Sequence, residues 1–202
     1  EWLMIPLPIM TFTIAVGFFY ILLPSHWLAL SAVLLLYAVG QYAWLLTANI
    51  FSVASIRTIA LFRAAQAVSL IMTLLAGFFL FDTILSLRMG FVVVSGLVAL
   101  ASLILTLPYL WSVELGTKIS LKILIYSFCS SLLLGFLSGG ITIWPTPLTV
   151  ASVFLCSILY VYLGIAQHHF SDRLFKNTIW EYVTVGGVAL LVLLGTAIFS
   201  QG

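Results

Sequence analysis

Charge is scarce in this chain. Seven Lys and Arg and five Asp and Glu make up 6% of its 202 residues, against 64% hydrophobic side chains. Soluble proteins carry roughly a quarter charged residues, and a domain this poor in them cannot cover its surface with groups that water solvates. A bilayer removes the difficulty, because lipid solvates outward-facing Leu, Ile, Phe and Val. The net charge of +2 is small and scattered, with no basic run or aromatic-basic interleaving, which argues against a nucleic-acid partner. Cysteine is rarer still. Cys129 and Cys156 fall inside apolar stretches without disulfide or metal spacing, and are expected to act as small buried hydrophobes.

Familiar catalytic signatures are missing as well. The chain contains no HExxH, no GxSxG, no Walker loop and no pair of intramembrane aspartates. The last apolar segment has no interior lysine for a retinal Schiff base. A seven-helix zinc hydrolase would need three converging histidines, and His26, His168 and His169 are too far apart in the expected topology to supply them. No cofactor is expected, and an enzymatic role is the less favoured one.

What the chain does have is long apolar runs. A hydrocarbon core of about 30 Å needs roughly 20 apolar residues of helix. Seven segments meet that length, near Leu3–Leu23, Trp27–Ala48, Ile56–Leu80, Gly90–Trp111, Ile119–Ile141, Leu148–Gln167 and Thr178–Phe199. The first lacks a basic flank and a small-residue cleavage site, so a retained span is expected and not a signal peptide. Lone helices satisfy their own backbone in lipid, whereas a barrel would need shorter alternating segments. The expected fold class is therefore all-α: a polytopic membrane protein with seven transmembrane helices forming one domain over residues 1–202. Breaks fall at Pro24-Ser25-His26, at "SVELGTK" and at "GGITIWPTPL", where Pro145 and Pro147 stop a helix. Pro108 lies near the end of the fourth span, where a kink costs little.

Orientation follows from the basic residues. The loops after spans two, four and six carry or adjoin Arg57, Arg63, Lys118, Lys122, Arg173 and Lys176, while the other side has Arg88. The positive-inside rule then puts the N-terminus in the cytoplasm and the C-terminus outside. Trp111 and Trp180 on the inner side, with Trp27 and Trp144 on the outer, fit two interfacial aromatic belts.

Polar side chains gather at the inner end, and each has a chemical and a structural reading. His168 and His169 are adjacent, so on a helix they diverge by about 100° and cannot easily share a metal. His168 and Asp172 do have i,i+4 spacing, yet interfacial hydrogen bonding is expected over a zinc site, which needs further ligands. Arg63, read as two turns inside the third span, heads a stripe of Gln66, Ser69, Thr73 and Gly77 within about 120° of one face. A charge there needs a partner, and Glu114 and Glu181 are the candidates. The stripe reads either as an ion pair that fixes packing or as the floor of a cytoplasm-facing cavity. Lys118 and Lys122 share a face and suit anionic headgroups or plain snorkelling. Gly135 and Gly139 form a GxxxG that permits close helix approach, and Gln41 is expected to bond a neighbouring helix.

The segments "NIFSVASIRTIALFRAAQA", "FFLFDTILSLR", "LWSVEL" and "YLGIAQHHFSDRLFKNTIWEY" together resemble a bacterial family of small seven-helix membrane proteins, a domain of unknown function. The resemblance implies a bacterial inner-membrane location and transfers no catalytic or binding residue. The expected function is a non-enzymatic integral membrane bundle that binds lipid, a protein partner or a second copy of itself. A small transporter with a polar cavity around Arg63 is the alternative. An interfacial enzyme acting on a lipid headgroup through His168, Asp172 and their neighbours comes third.

Overall fold

The computed structural model describes residues 4–23, 26–54, 60–114, 119–144, 146–171 and 176–199, with side chains in the last stretch for 179–196. Among the described residues the chain forms seven helices: α1 (Pro6–Leu22), α2 (Trp27–Ala54), α3 (Phe62–Ser86), α4 (Phe91–Glu114), α5 (Leu121–Ile143), α6 (Leu148–Phe170) and α7 (Lys176–Phe199). Six of these, α2 to α7, are long and apolar enough to cross a membrane. The 17 residues of α1 span about 26 Å, at the short end of what a crossing needs.

Local chemistry explains where the helices start and stop. Pro6 opens α1, where its missing N–H costs nothing, and Pro147 precedes the first turn of α6. Ser120 caps α5 by accepting from Ile123 N–H at 3.3 Å. Leu87 and Arg88 end α3, their amides returning to Ile84 O at 3.3 Å and Leu85 O at 3.2 Å. Arg88 holds a left-handed φ of 48°, a conformation that costs a residue with a Cβ about 1–2 kcal/mol and that glycine adopts freely.

The boundaries of α2 and α3 depart from the expected spans by six residues. α2 runs on to Ala54 instead of ending near Ala48, and α3 occupies Phe62–Ser86 instead of Ile56–Leu80. The sequence is apolar on both flanks, so a hydropathy ruler slides. The helix continues through Asp82, whose carboxylate accepts a hydrogen bond from Ser152 of α6. The shift moves Arg63 to the first turn of α3 and carries Asp82 into the helix.

At the centre stands α3, packed by α1, α2, α4 and α6. Its neighbours bury Phe12, Phe81, Val98, Leu110, Leu155 and Leu159 completely. The expected stripe does face inward: Gln66, Ser69, Thr73 and Gly77 are all buried. Several buried hydroxyls are satisfied by their own helices, as when Thr47 donates to Ala43 O at 2.7 Å, Ser102 to Val98 O at 2.7 Å and Thr106 to Ser102 O at 2.8 Å, whereas those of Thr83, Ser127 and Ser130 have no partner among the described residues. Gln41 departs from expectation. Its Oε1 is buried without a hydrogen-bond partner among the described residues.

The closest helix pair is α4 with α5. Lipid tails give no hydrophobic reason for helices to associate, so small residues that let backbones approach must supply packing instead. α5 turns Ser127, Ser130, Ser131, Gly135, Ser138 and Gly139 inward. Ser131 donates to Ala99 O at 2.7 Å across the pair. A Cβ on Gly135 would lie 2.9 Å from both Ala99 Cβ and Ser95 O, so the GxxxG is a true contact face. With small residues inside, the larger ones point out, and Cys129 is exposed on the outer face instead of buried as expected.

Replacing Gly135 with Ala should lower the unfolding midpoint of the detergent-solubilised protein, at a cost of about 1–3 kcal/mol, because a backbone atom must give way. Gly96→Ala, where an added Cβ meets nothing within 4 Å, should leave the midpoint unchanged or raise it. Equal effects would show that the α4–α5 approach does not limit stability.

Candidate functional site

The end of the bundle that carries the α2–α3, α4–α5 and α6–α7 connections holds most of the polar residues singled out from sequence. Lys118 and Asp172 lie outside the described residues. Arg63 and Lys122 are exposed on the first turns of α3 and α5, and Glu181 is exposed near the start of α7. Glu114, the last residue of α4, accepts from Ser120 Oγ at 2.9 Å. Ser120 thereby ties the end of α4 to the cap of α5.

No ion pair joins Arg63 to Glu114 or Glu181 among the described residues, and the expected buried pair is not formed. The boundary of α3 explains it. A guanidinium on the second residue of a helix reaches water directly and needs no counter-charge. Gln66, one turn further in, is the first of the stripe to be buried.

The two histidines diverge as their adjacency requires. His168 is half-buried beside Tyr182 of α7, with ring centroids 5.9 Å apart, while exposed His169 stacks on Tyr126 of α5 at 5.7 Å and 24°. Each ring therefore serves a different helix interface. Among the described residues no three His, Cys, Asp or Glu side chains converge as a metal site would need. Deeper in, buried Tyr109 donates its hydroxyl to Gln167 Oε1 at 2.7 Å, joining α4 to α6. Tyr182 lies flat enough on Gly164 that a Cβ there would enter the phenol ring, so that glycine sets how closely α7 approaches α6.

A second polar group lies towards the opposite end. Ser152 of α6 is wholly buried, and its Oγ donates to Asp82 Oδ1 of α3 at 2.8 Å. The same hydroxyl lies 2.8 Å from Leu148 O in its own helix, so one proton serves two acceptors. Cys156, one turn on, points Sγ at Leu74 O at 3.3 Å, adding a weak second contact between α3 and α6. An ionisable side chain inside a helical bundle is a functional candidate by default. Sequence reasoning missed it, although a single Asp inside "FFLFDTILS" was the available signal. The ruler that ended the third span at Leu80 hid it.

Comparison with protein-family models, with curated proteins and with solved structures finds no match to this chain.

Ser152→Ala should destabilise the protein more than Arg63→Ala. Interhelical hydrogen bonds in membranes contribute about 0.6 kcal/mol on average and up to about 1.7, and Ser152→Ala also leaves a carboxylate without its donor. Arg63→Ala should change stability by no more than about 1 kcal/mol. A double-mutant cycle between Ser152→Ala and Asp82→Asn reads the coupling. Strict additivity would mean that the two groups do not interact in the membrane.

Proposed function

We propose that this chain is an integral membrane bundle of seven crossings, with its N-terminus in the cytoplasm, that works by binding lipid or a protein partner and not by catalysis. The observation that carries the reading is the unequal burial of its apolar helices. Half of the apolar window of α3 is buried inside the bundle, whereas α2 buries 11% of its window and α7 6%. Water does not tolerate two such helices, and lipid or a partner does. α1 is short, but it lays Phe12, Ala15 and Val16 against the core beside α3, which supports reading it as a seventh crossing. The basic residues support the orientation, with six near one set of loops and Arg88 on the other. A bacterial inner membrane is the location in keeping with the family that the sequence resembles.

Transport is the second reading, and Asp82 favours it more than Arg63 does. A carboxylate held between α3 and α6 is the kind of group that proton and ion pathways use. Arg63, exposed at the helix end, has no such placement.

Single cysteines introduced in a Cys129→Ala, Cys156→Ala background test the orientation. A membrane-impermeant maleimide on intact cells should label a cysteine at Arg88, in the α3–α4 turn, and spare one at Lys122 until the membrane is opened. The reverse pattern would overturn the N-in arrangement, and labelling of both without lysis would overturn the membrane reading itself.

A further inference from the structure

Two cavities lie side by side at the end of the bundle that carries the α3–α4 and α5–α6 turns. One, of about 330 Å³, is mixed in character and is lined by Arg88, Thr142, Thr146 and Leu148 among others. The other, of about 650 Å³, is an apolar groove between α5 and α7 over α6, lined by Phe136, Gly140, Phe154, Leu190 and Leu193 among others. Ile141, Trp144 and Thr146 line both and form the wall between them. The polar cavity thus opens beside an apolar one at a helix-turn end of the bundle, which on the membrane reading proposed above is where headgroups meet hydrocarbon.

We infer that this pair of cavities binds an anionic phospholipid, with the phosphate against Arg88 and one acyl chain in the α5–α7 groove. The inference rests on the lipid-binding reading above and names its ligand class and place. Charge supplies the first argument. The Arg88 side chain makes no hydrogen bond or ion pair among the described residues, so its guanidinium is available to an incoming anion. Asp82, the nearest carboxylate in sequence, does not line the cavity and accepts from Ser152 instead. Donors surround the same space. The Thr146 hydroxyl makes no hydrogen bond among the described residues. Leu148, which also lines the cavity, has its amide in the first turn of α6, outside a ladder that starts with Ala151 N–H to Pro147 O.

Backbone strain supplies an independent argument. Arg88 sits at a φ of 48°, where glycine would be unstrained. A bulky residue held in that region is a pointer to function at its side chain. Helix termination alone would be served better by glycine, so the guanidinium is what the position retains. The groove supplies the third. A free phosphate would use the cavity and ignore 650 Å³ of apolar space beside it, whereas a lipid uses both. Trp144, half-exposed on the dividing wall, is suited to the boundary between headgroup and chain.

The test is native mass spectrometry of the full chain in a neutral detergent, titrated with phosphatidylglycerol and phosphatidylcholine of identical acyl chains. One cation near the headgroup level predicts a preference of about fivefold for phosphatidylglycerol. Arg88→Gly should abolish the preference without lowering the unfolding midpoint, because glycine suits the backbone there, and Arg88→Lys should keep most of it. Gly140→Leu, which puts a side chain into the groove at a position where an added Cβ meets nothing within 4 Å, should weaken both lipids and leave their ratio unchanged. Gly96→Leu, on open surface elsewhere, should change neither. Equal affinity of the unaltered protein for the two lipids, or an undiminished preference in Arg88→Gly, would overturn the site while leaving a lipid-associated bundle intact. Displacement by millimolar glycerol phosphate together with undiminished binding of both lipids to Gly140→Leu would show a site for a headgroup-sized anion alone and overturn the assignment of the groove. A chain that carries neither lipid would remove the underlying reading as well.

Discussion

A backbone that leaves water must find all its hydrogen bonds inside its own segment, and this constraint orders everything else in the molecule. It makes each long apolar run a helix and places helix ends where proline, serine or a left-handed residue can close them. It also sets the terms for side chains. Thr47, Ser102 and Thr106 donate to carbonyls of their own helices, so burying them costs little. Asp82 has no carbonyl it can satisfy, and it needs a donor from another helix. Ser152 provides one, and the α3–α6 interface is fixed in register by that requirement.

The second constraint is that apolar side chains do not drive helices together in lipid. Association then follows from how closely backbones approach. α4 and α5 meet through Gly135, Gly139, Ser95 and Ala99, and α6 meets α7 where Tyr182 covers Gly164. Bulky residues are displaced to the outside, which is why Phe136 is 82% exposed and Cys129 faces outward. In a soluble protein the same side chains would mark an error. On the membrane reading proposed above, they mark the surface that lipid or a partner covers.

Much of this was legible in the sequence. Helix number, the break just before α6 at Pro147, the inward stripe on α3, the GxxxG contact and the divergence of His168 from His169 all follow from period, length and residue size. Two errors had one cause. A hydropathy window has no sense of register when both flanks are greasy, and it ended the third span at Leu80 when the helix continues to Ser86. That slip made exposed Arg63 look buried and interior Asp82 look peripheral. Tertiary partners were illegible for a different reason. Nothing in "FDTILS" or "LTVASV" tells Asp82 that Ser152, seventy residues on, will face it. Gln41, polar in sequence and orphaned in the fold, shows the converse.

The packing constraint also decides where the molecule can hold something. α7 leans on α6 and leaves the outer part of α5 uncovered, so the space between α5 and α7 is a groove and not a seam. Gly140 deepens it by having no side chain, and Leu190 and Leu193 line its far wall. A tighter α7 would erase the groove, and a small-residue face comparable to that of α5 would be needed to draw it in. Gly187 and Gly195 of α7 instead meet open space. The same weak attachment that leaves α7 largely unburied therefore creates the largest apolar cavity described above, next to an arginine that no protein group neutralises among the described residues. Loose packing of the last helix and an unpaired charge at the adjoining turn are two sides of one arrangement, because a lipid that fills the first can neutralise the second.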